Sequence, residues 1–124
     1  FLEGRKRGRI IYLMHDLVRL GLAGNGVQAA TRTGLIHFAK TLAQEISDSA
    51  ITVNCVSMGA TEEFLISQSK EPLSSQSALT KTREVFPRAQ LTDPEKIANL
   101  VAFLASPLGA GISGQLISVN QGLS

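Results

Sequence analysis

Apolar residues recur every three or four positions between residues 28 and 47, and this spacing predicts an amphipathic helix. Short apolar runs at residues 10–14 and 51–56 flank this stretch, and each has the length of a buried strand. The order strand, helix, strand predicts a βαβ unit, in which the two strands are parallel. The positions expected on the apolar face of the helix are Leu35, Phe38, Ala39, Leu42, Ala43 and Ile46.

A second helix is predicted to start near residue 92. Either Thr92 and Glu95 form a capping box, or Asp93 caps the helix and Pro94 takes its first position. The helix ends before Pro107, which cannot continue it. The residues expected on its buried stripe are Ile97, Leu100, Val101 and Leu104.

Three parallel strands are therefore expected, at residues 9–14, 51–57 and 115–120. Residues 15–26 connect the first strand to the long helix, and their glycines do not have the spacing of a dinucleotide-binding fingerprint. We interpret these glycines as turn residues; they are Gly21, Gly24 and Gly26. The polar segment at residues 57–84 leaves two interpretations open: a lid or specificity loop, or a disordered connector.

Composition restricts the class of protein. A chain of 124 residues that is 44% hydrophobic and 18% charged suits one globular domain at most. The net charge is +2, and the basic cluster at residues 5–9 has no aromatic neighbours, so we read it as a solvated turn and expect no nucleic-acid partner. The single cysteine, Cys55, excludes an internal disulfide and favours a reducing, cytoplasmic compartment.

Targeting signals are not evident in the sequence. No apolar run approaches the roughly 20 residues that a membrane-spanning helix needs, and no secretory signal pattern is present. We therefore expect no membrane partner. Because the chain begins with Phe1, we expect it to be a fragment or a processed product.

Five stretches of the sequence carry a family resemblance. They are GRII at 8–11, GLIHFAKTLAQE at 34–45, ITVNCV at 51–56, PEKIANLVAFLAS at 94–106 and ISGQLISVN at 112–120. In this order they resemble the C-terminal half of a short-chain dehydrogenase/reductase, and the 3-oxoacyl-[acyl-carrier-protein] reductases of fatty acid biosynthesis most of all. The resemblance implies an α/β fold with a Rossmann-like parallel sheet and helices on both faces. Residues 1–124 would form only the C-terminal half of that fold.

The same resemblance implies hydride exchange between NAD(P) and a carbonyl or alcohol. In the family a tyrosine donates a proton, a lysine four residues later lowers its pKa and holds the ribose, and a serine hydrogen-bonds the carbonyl oxygen. Alignment without gaps puts His15 at the serine, Gln28 at the tyrosine and Arg32 at the lysine. Glutamine has no proton to donate near neutral pH, and arginine stays charged. The only tyrosine, Tyr12, is followed four residues later by Asp16 rather than by a lysine.

No catalytic, cofactor-binding or metal-binding residue is therefore assigned in this chain. His15 is weighed as a substitute acid but is read as a polar surface or pocket residue, and His37 is read as solvated. Met58-Gly59 stands where the family has Pro-Gly. Glu62 and Glu63 follow, with Glu63 at the position of a cofactor-binding threonine, and these carboxylates would repel a pyrophosphate. NAD(P) binding is expected only if the N-terminal half carries an intact phosphate loop.

Two functions from different classes remain. The first is a degenerate pseudoenzyme that serves as a structural or regulatory subunit beside an active reductase, and the missing triad favours it. The second is an NAD(P)-dependent oxidoreductase with altered residues, whose cofactor-binding half lies outside this chain. Small residues at the start of the long helix would let another helix approach closely, so we expect a homo-oligomer or a hetero-oligomer with an active reductase subunit; they are Ala29, Ala30, Thr33 and Gly34.

Overall fold

The computed structural model describes residues 7–16, 24–61, 80, 83 and 91–122. The expectations for Gly21, for Glu62 and Glu63, and for most of the segment at 57–84 concern residues outside these ranges. Within the described residues, no helix has the length and apolar character needed to cross a membrane. The elements follow in the order β1 (Gly8–His15), α1 (Gly26–Glu45), β2 (Ile51–Met58), α2 (Pro94–Ala105), a 3-10 turn (Pro107–Gly109) and β3 (Leu116–Val119).

The three strands form one parallel sheet in the order β1-β2-β3. Tyr12 pairs with Cys55 across the first ladder, and Ser57 pairs with Ser118 across the second. The predicted parallel βαβ arrangement is therefore confirmed, and the strand ends differ from the prediction by one residue at most. Because all three strands run the same way, their carboxyl ends lie at one edge of the sheet.

Helices cover both faces of this sheet, as a Rossmann-like fold requires. Alternate residues of β2 point to opposite faces, so Val53 and Cys55 pack towards α1 whereas Val56 packs towards α2. The buried members of the α1 layer are Met14, Ala39, Val53 and Cys55. Those of the α2 layer are Val56, Ile97 and Leu104.

One residue of the predicted α1 face lies outside the core. Phe38 is 54% exposed, and its ring contacts Tyr12 edge-on, with 6.5 Å between the ring centroids. The neighbouring Ala39 is only 2% exposed and rests on the sheet, and Leu35 and Leu42 pack beside it. A small residue at the point of contact lets α1 lie close to the strands, and Phe38 is then left at the rim.

The start of α2 follows the second of the two predicted capping arrangements. The Asp93 carboxylate accepts a hydrogen bond from the Glu95 backbone N–H at 2.9 Å, and Pro94 takes the first helical position. Thr92 is instead buried, and its backbone N–H donates to the Ala60 carbonyl at 2.8 Å. The cap therefore begins α2 directly after a segment that is held against the end of β2.

Asn54 fastens the approach to β3 onto the middle of the sheet. Its side-chain Nδ2 donates to the Ile112 carbonyl at 2.7 Å, and its Oδ1 accepts from the Gln115 backbone N–H at 3.1 Å. Gly114, with φ of +72°, lets the chain turn between these two contacts, and its N–H donates to the Val53 carbonyl. The buried Asn54 amide thus satisfies two backbone groups of the loop that brings β3 alongside β2.

We predict that Leu104→Ala lowers the free energy of unfolding by about 2–5 kcal/mol, because this fully buried side chain fills the layer between α2 and the sheet. Urea unfolding followed by circular dichroism would measure the change. Leu108→Ala is the matched control, since Leu108 is 81% exposed and its loss should cost less than about 0.5 kcal/mol. Equal losses for the two variants would contradict the described packing.

Candidate functional site at the carboxyl edge of the sheet

The three residues that the ungapped alignment places at the family's serine, tyrosine and lysine positions lie around one edge of the sheet. His15 is the last residue of β1, while Gln28 and Arg32 lie in the first two turns of α1. Gln28 and Arg32 are four residues apart and therefore share one side of the helix. His15 and Arg32 are partly buried, whereas Gln28 is exposed. In open α/β sheets, ligands bind outside the carboxyl ends of the strands, so this edge is the candidate site.

His15 and Arg32 interact electrostatically at this edge. Burial lowers the pKa of His15 from its ordinary value of 6.5, and the positive charge of Arg32 lowers it further. The imidazole is therefore neutral at pH 7 and does not carry the extra proton that an imidazolium acid would donate. The sequence predicted a polar surface or pocket residue here, and the structure shows a partly buried one.

Neither Gln28 nor Tyr12 offers a proton donor at this edge. Gln28 ends in an amide, which holds its protons at neutral pH, and it is exposed on the first turns of α1. Tyr12 lies on the α1 face of β1, packed against the apolar core and the ring of Phe38. The tyrosine is thus part of the packing between helix and sheet. His37 is exposed, as predicted.

A second polar group at this edge was not predicted. Asp16, Ser57 and Asn120 are 1%, 1% and 6% exposed, respectively. Ser57 Oγ donates to Asp16 Oδ1 at 2.7 Å, and Asn120 Nδ2 donates to Asp16 Oδ2. The signal for this group is a polar residue at or just after the end of each predicted strand. The sequence does not reveal that these three side chains meet.

Gly59 lies beside this buried group and is fixed by close packing. Its N–H donates to the Val119 carbonyl at 2.8 Å. A Cβ at Gly59 would lie 2.3 Å from Thr92 Oγ1 and 2.9 Å from Asn120 Cα, which leaves no room for a side chain. The glycine of the Met58-Gly59 pair is therefore explained by contacts within the chain.

Other reactive groups do not enlarge the candidate site. Cys55 is buried in the α1 layer, and burial raises the pKa of its thiol, although Lys40 acts in the opposite direction. The thiol is therefore protonated at neutral pH and packs as an apolar residue. Within the described ranges, no three His, Cys, Asp or Glu side chains are grouped so that they could hold a metal ion.

Comparison with known sequences gives concordant matches over nearly the whole chain. The family model described as "Enoyl-(Acyl carrier protein) reductase" matches residues 2–124. The chain is 36% identical over 119 residues to the 3-oxoacyl-[acyl-carrier-protein] reductases of Vibrio cholerae and of Escherichia coli, and each match covers 96% of this chain and 47% of the relative. It is 30% identical to a putative ketoacyl reductase of monensin polyketide synthase from Streptomyces virginiae, with 98% of this chain and 49% of that protein covered.

A solved structure agrees with these sequence matches. The F189W variant of actinorhodin polyketide ketoreductase, crystallised with NADPH, superposes with a TM-score of 0.81 at 26% sequence identity. That match covers 98% of this chain and 49% of the ketoreductase. The chain thus spans about half the length of the relatives it matches. Its sheet order, its motifs and these matches together show that this chain belongs to the short-chain dehydrogenase/reductase family.

Proposed function

We propose that this chain is a non-catalytic part of a reductase-like protein, kept for assembly beside an active reductase subunit. The observation that supports this proposal most strongly is the pair Gln28 and Arg32 on one side of α1, together with a neutral His15 at the end of β1. The scaffold of the family is kept while the proton donor is lost. General acid catalysis requires a group that holds a transferable proton at the operating pH, and none of these three side chains does so at neutral pH.

The residues at this edge fit a nicotinamide cofactor only in part. The guanidinium of Arg32 has five N–H donors and could hold ribose hydroxyls in place of the family's lysine. When bound, the cofactor would supply the hydride. Arg32 cannot relay a proton, because a guanidinium group does not give up its proton in a protein. Cofactor binding without turnover is therefore compatible with the proposed role, provided that the other half of the domain supplies a phosphate loop.

A second candidate is an oxidoreductase that uses His15 as its acid. The observation in its favour is that His15 ends β1, at the position where the family has its polar catalytic serine. Against it stands the lowered pKa, which leaves little imidazolium at pH 7. We therefore rank this alternative second.

The outer face of α1 supports the assembly role. Val27 is 81% exposed and Phe38 is 54% exposed, and they lie on one stripe of the helix with Gly34 between them. No atom lies within 4 Å of a Cβ built on Gly34, so a partner helix has room to approach. The hydroxyl of Thr31, on the same stripe, donates to the Val27 and Gln28 carbonyls, so its donor is already satisfied within the helix. We propose that this stripe packs on a second copy or on an active reductase subunit.

Turnover tests the non-catalytic role. We expect the full chain to give no NADPH-dependent reduction of a 3-oxoacyl thioester above background, since loss of the general acid alone typically costs about 10²–10⁴-fold in rate. A 3-oxoacyl-[acyl-carrier-protein] reductase in the same assay is the positive control. Turnover that disappears in His15→Ala but persists in His37→Ala would contradict the proposal and establish the second candidate.

A separate prediction concerns the pKa of His15. Arg32→Gln should raise the pKa of His15 but leave it below 6.5, because the charge is removed while burial remains. An NMR titration of the imidazole would measure this change, and Lys96→Gln, an exposed substitution on α2, should leave the pKa of His15 as it is in the unsubstituted chain.

The same group links stability to pH. Because the folded-state pKa of His15 lies below its unfolded value, the unfolded chain binds more protons as the pH falls below about 6.5. The contribution of His15 therefore becomes destabilising on acidification. This destabilising contribution is smaller in Arg32→Gln than in the unsubstituted chain, because the pKa of His15 is then lowered less. A His15 pKa that does not respond to Arg32→Gln would contradict the described pair.

Association is tested by Gly34→Arg. The substitution places a bulky charge on the open stripe of α1, so we expect it to abolish the oligomer or the complex at micromolar concentration, as measured by sedimentation. The fold should be retained, because glycine within a helix costs about 1 kcal/mol relative to better helix formers. Gly111→Arg is the matched control, at an equally open glycine outside α1. A folded monomer that recovers no reductase subunit in co-purification would contradict the assembly role.

A further inference from the structure

The buried group at the carboxyl edge joins the ends of all three strands. Asp16 directly follows β1, Ser57 lies one residue before the end of β2, and Asn120 directly follows β3. These residues are 41 and 63 positions apart along the chain, as their numbers show. They meet because the parallel strands all end at the same edge. The Asp16 backbone N–H also donates to the Met58 carbonyl at 2.8 Å, which holds the aspartate against β2.

Each oxygen of the Asp16 carboxylate receives a donor from a different strand end. Ser57 Oγ donates to Oδ1, and Asn120 Nδ2 donates to Oδ2. The direction of the Asn120 amide is set from its other side, because its Oδ1 accepts from the Gly122 backbone N–H at 3.1 Å. Asn120 must therefore present an N–H donor to position 16. Hydrogen bonds from neutral donors to an ionised carboxylate are about twice as strong as those between neutral groups.

We propose that Asp16 is an internal anionic ligand, whose carboxylate occupies an anion seat built by Ser57 and Asn120. The seat lies at the edge of the sheet where proteins of this architecture bind their ligands. Its two donors are committed to a side chain of the protein itself and are not offered to a ligand from solution. Asp16 thus satisfies both donors from within the chain. The inference does not depend on the proposed function, since an enzyme and a non-catalytic subunit could both contain such a contact.

An amide at position 16 would not serve as well as a carboxylate. Asparagine would present one oxygen and one NH₂ group, whereas both of its neighbours approach as donors. The Ser57 hydroxyl can rotate and accept instead, but the Asn120 amide is held by Gly122. An asparagine would therefore have to turn its oxygen to Asn120 and its NH₂ group to Ser57, and both hydrogen bonds would then join neutral groups, which bind about half as strongly as a carboxylate does. The seat therefore favours a carboxylate over an amide.

Packing around Asn120 keeps the seat in shape. Thr92 and Asn120 Cα leave no room for even a Cβ at Gly59, and the Gly59 N–H is bonded to the Val119 carbonyl. The backbone of Asn120 is therefore fixed by its close packing on Gly59, and its side chain is fixed by the hydrogen bond to Gly122. Removal of the Asp16 carboxylate should leave the two donors in place around a cavity of carboxylate size.

Chemical rescue tests this seat. In the full chain, Asp16→Ala should lower the Tm by about 5–15 °C, because two buried donors lose their acceptor. Formate should then raise the Tm of the variant by roughly 5 °C or more beyond its effect on the unsubstituted chain, since it binds only the folded form. The order formate, acetate, propionate should give decreasing rescue. Sodium chloride at equal ionic strength is the control and should give none.

Three further variants make the test decisive. Asp16→Ala combined with Ser57→Ala should lose most of the formate response. If Asp16→Ala does not fold, Asp16→Asn and its combination with Asn120→Asp replace it. The single change should lower the Tm, and the exchange should recover more than half of the loss. In the exchange variant the amide at position 16 would donate to the carboxylate at position 120, and its oxygen would still accept from Ser57.

A Tm that responds equally to formate and chloride would overturn the proposal, and so would an exchange variant no more stable than Asp16→Asn. These readouts measure stability rather than turnover. Failure of the anion seat is therefore distinguishable from failure of the proposed function.

Discussion

The structure depends on the burial of β2 between two helices. Six consecutive residues of this strand, Thr52 through Ser57, are buried, because β1 and β3 flank it and α1 and α2 cover its faces. A strand in this position must bury its polar side chains with their hydrogen bonds satisfied. Asn54 does so by holding the approach to β3, and Ser57 does so by donating to Asp16. Asn54 and Ser57 thereby link the central strand to its neighbours.

The carboxyl edge combines a retained scaffold with altered chemistry. The parallel sheet, the capped α2 helix and the apolar layers are those of a short-chain dehydrogenase/reductase. The positions that the ungapped alignment matches to the family's proton chemistry hold a neutral histidine, an exposed glutamine and an arginine. Beside them, the chain satisfies its own buried donors with Asp16. Both features support the proposed role in assembly.

Much of this fold could be predicted from the sequence, because its signals are local. The apolar runs gave the strands to within one or two residues, and the spacing of Ile97 and Leu104 gave the buried stripe of α2. The exposure of Phe38 could not be read from periodicity, since it depends on how closely Ala39 lets the helix approach the sheet. The family motifs identified His15, Gln28 and Arg32. The contact of Asp16 with Ser57 and Asn120 could not be predicted, because it joins residues far apart in the chain.

Our central proposal is that this edge supplies no proton donor for the transfer of a hydride from NADPH to a carbonyl. The most direct measurement mixes the full chain with NADPH that carries deuterium on the reduced nicotinamide, together with a 3-oxoacyl thioester. Mass spectrometry of the thioester then reports the transfer, even when it is too slow for a continuous assay. Our account predicts no more deuterium in the product than in a reaction without protein. Deuterated 3-hydroxyacyl product formed in proportion to protein concentration, and lost in His15→Ala, would contradict it.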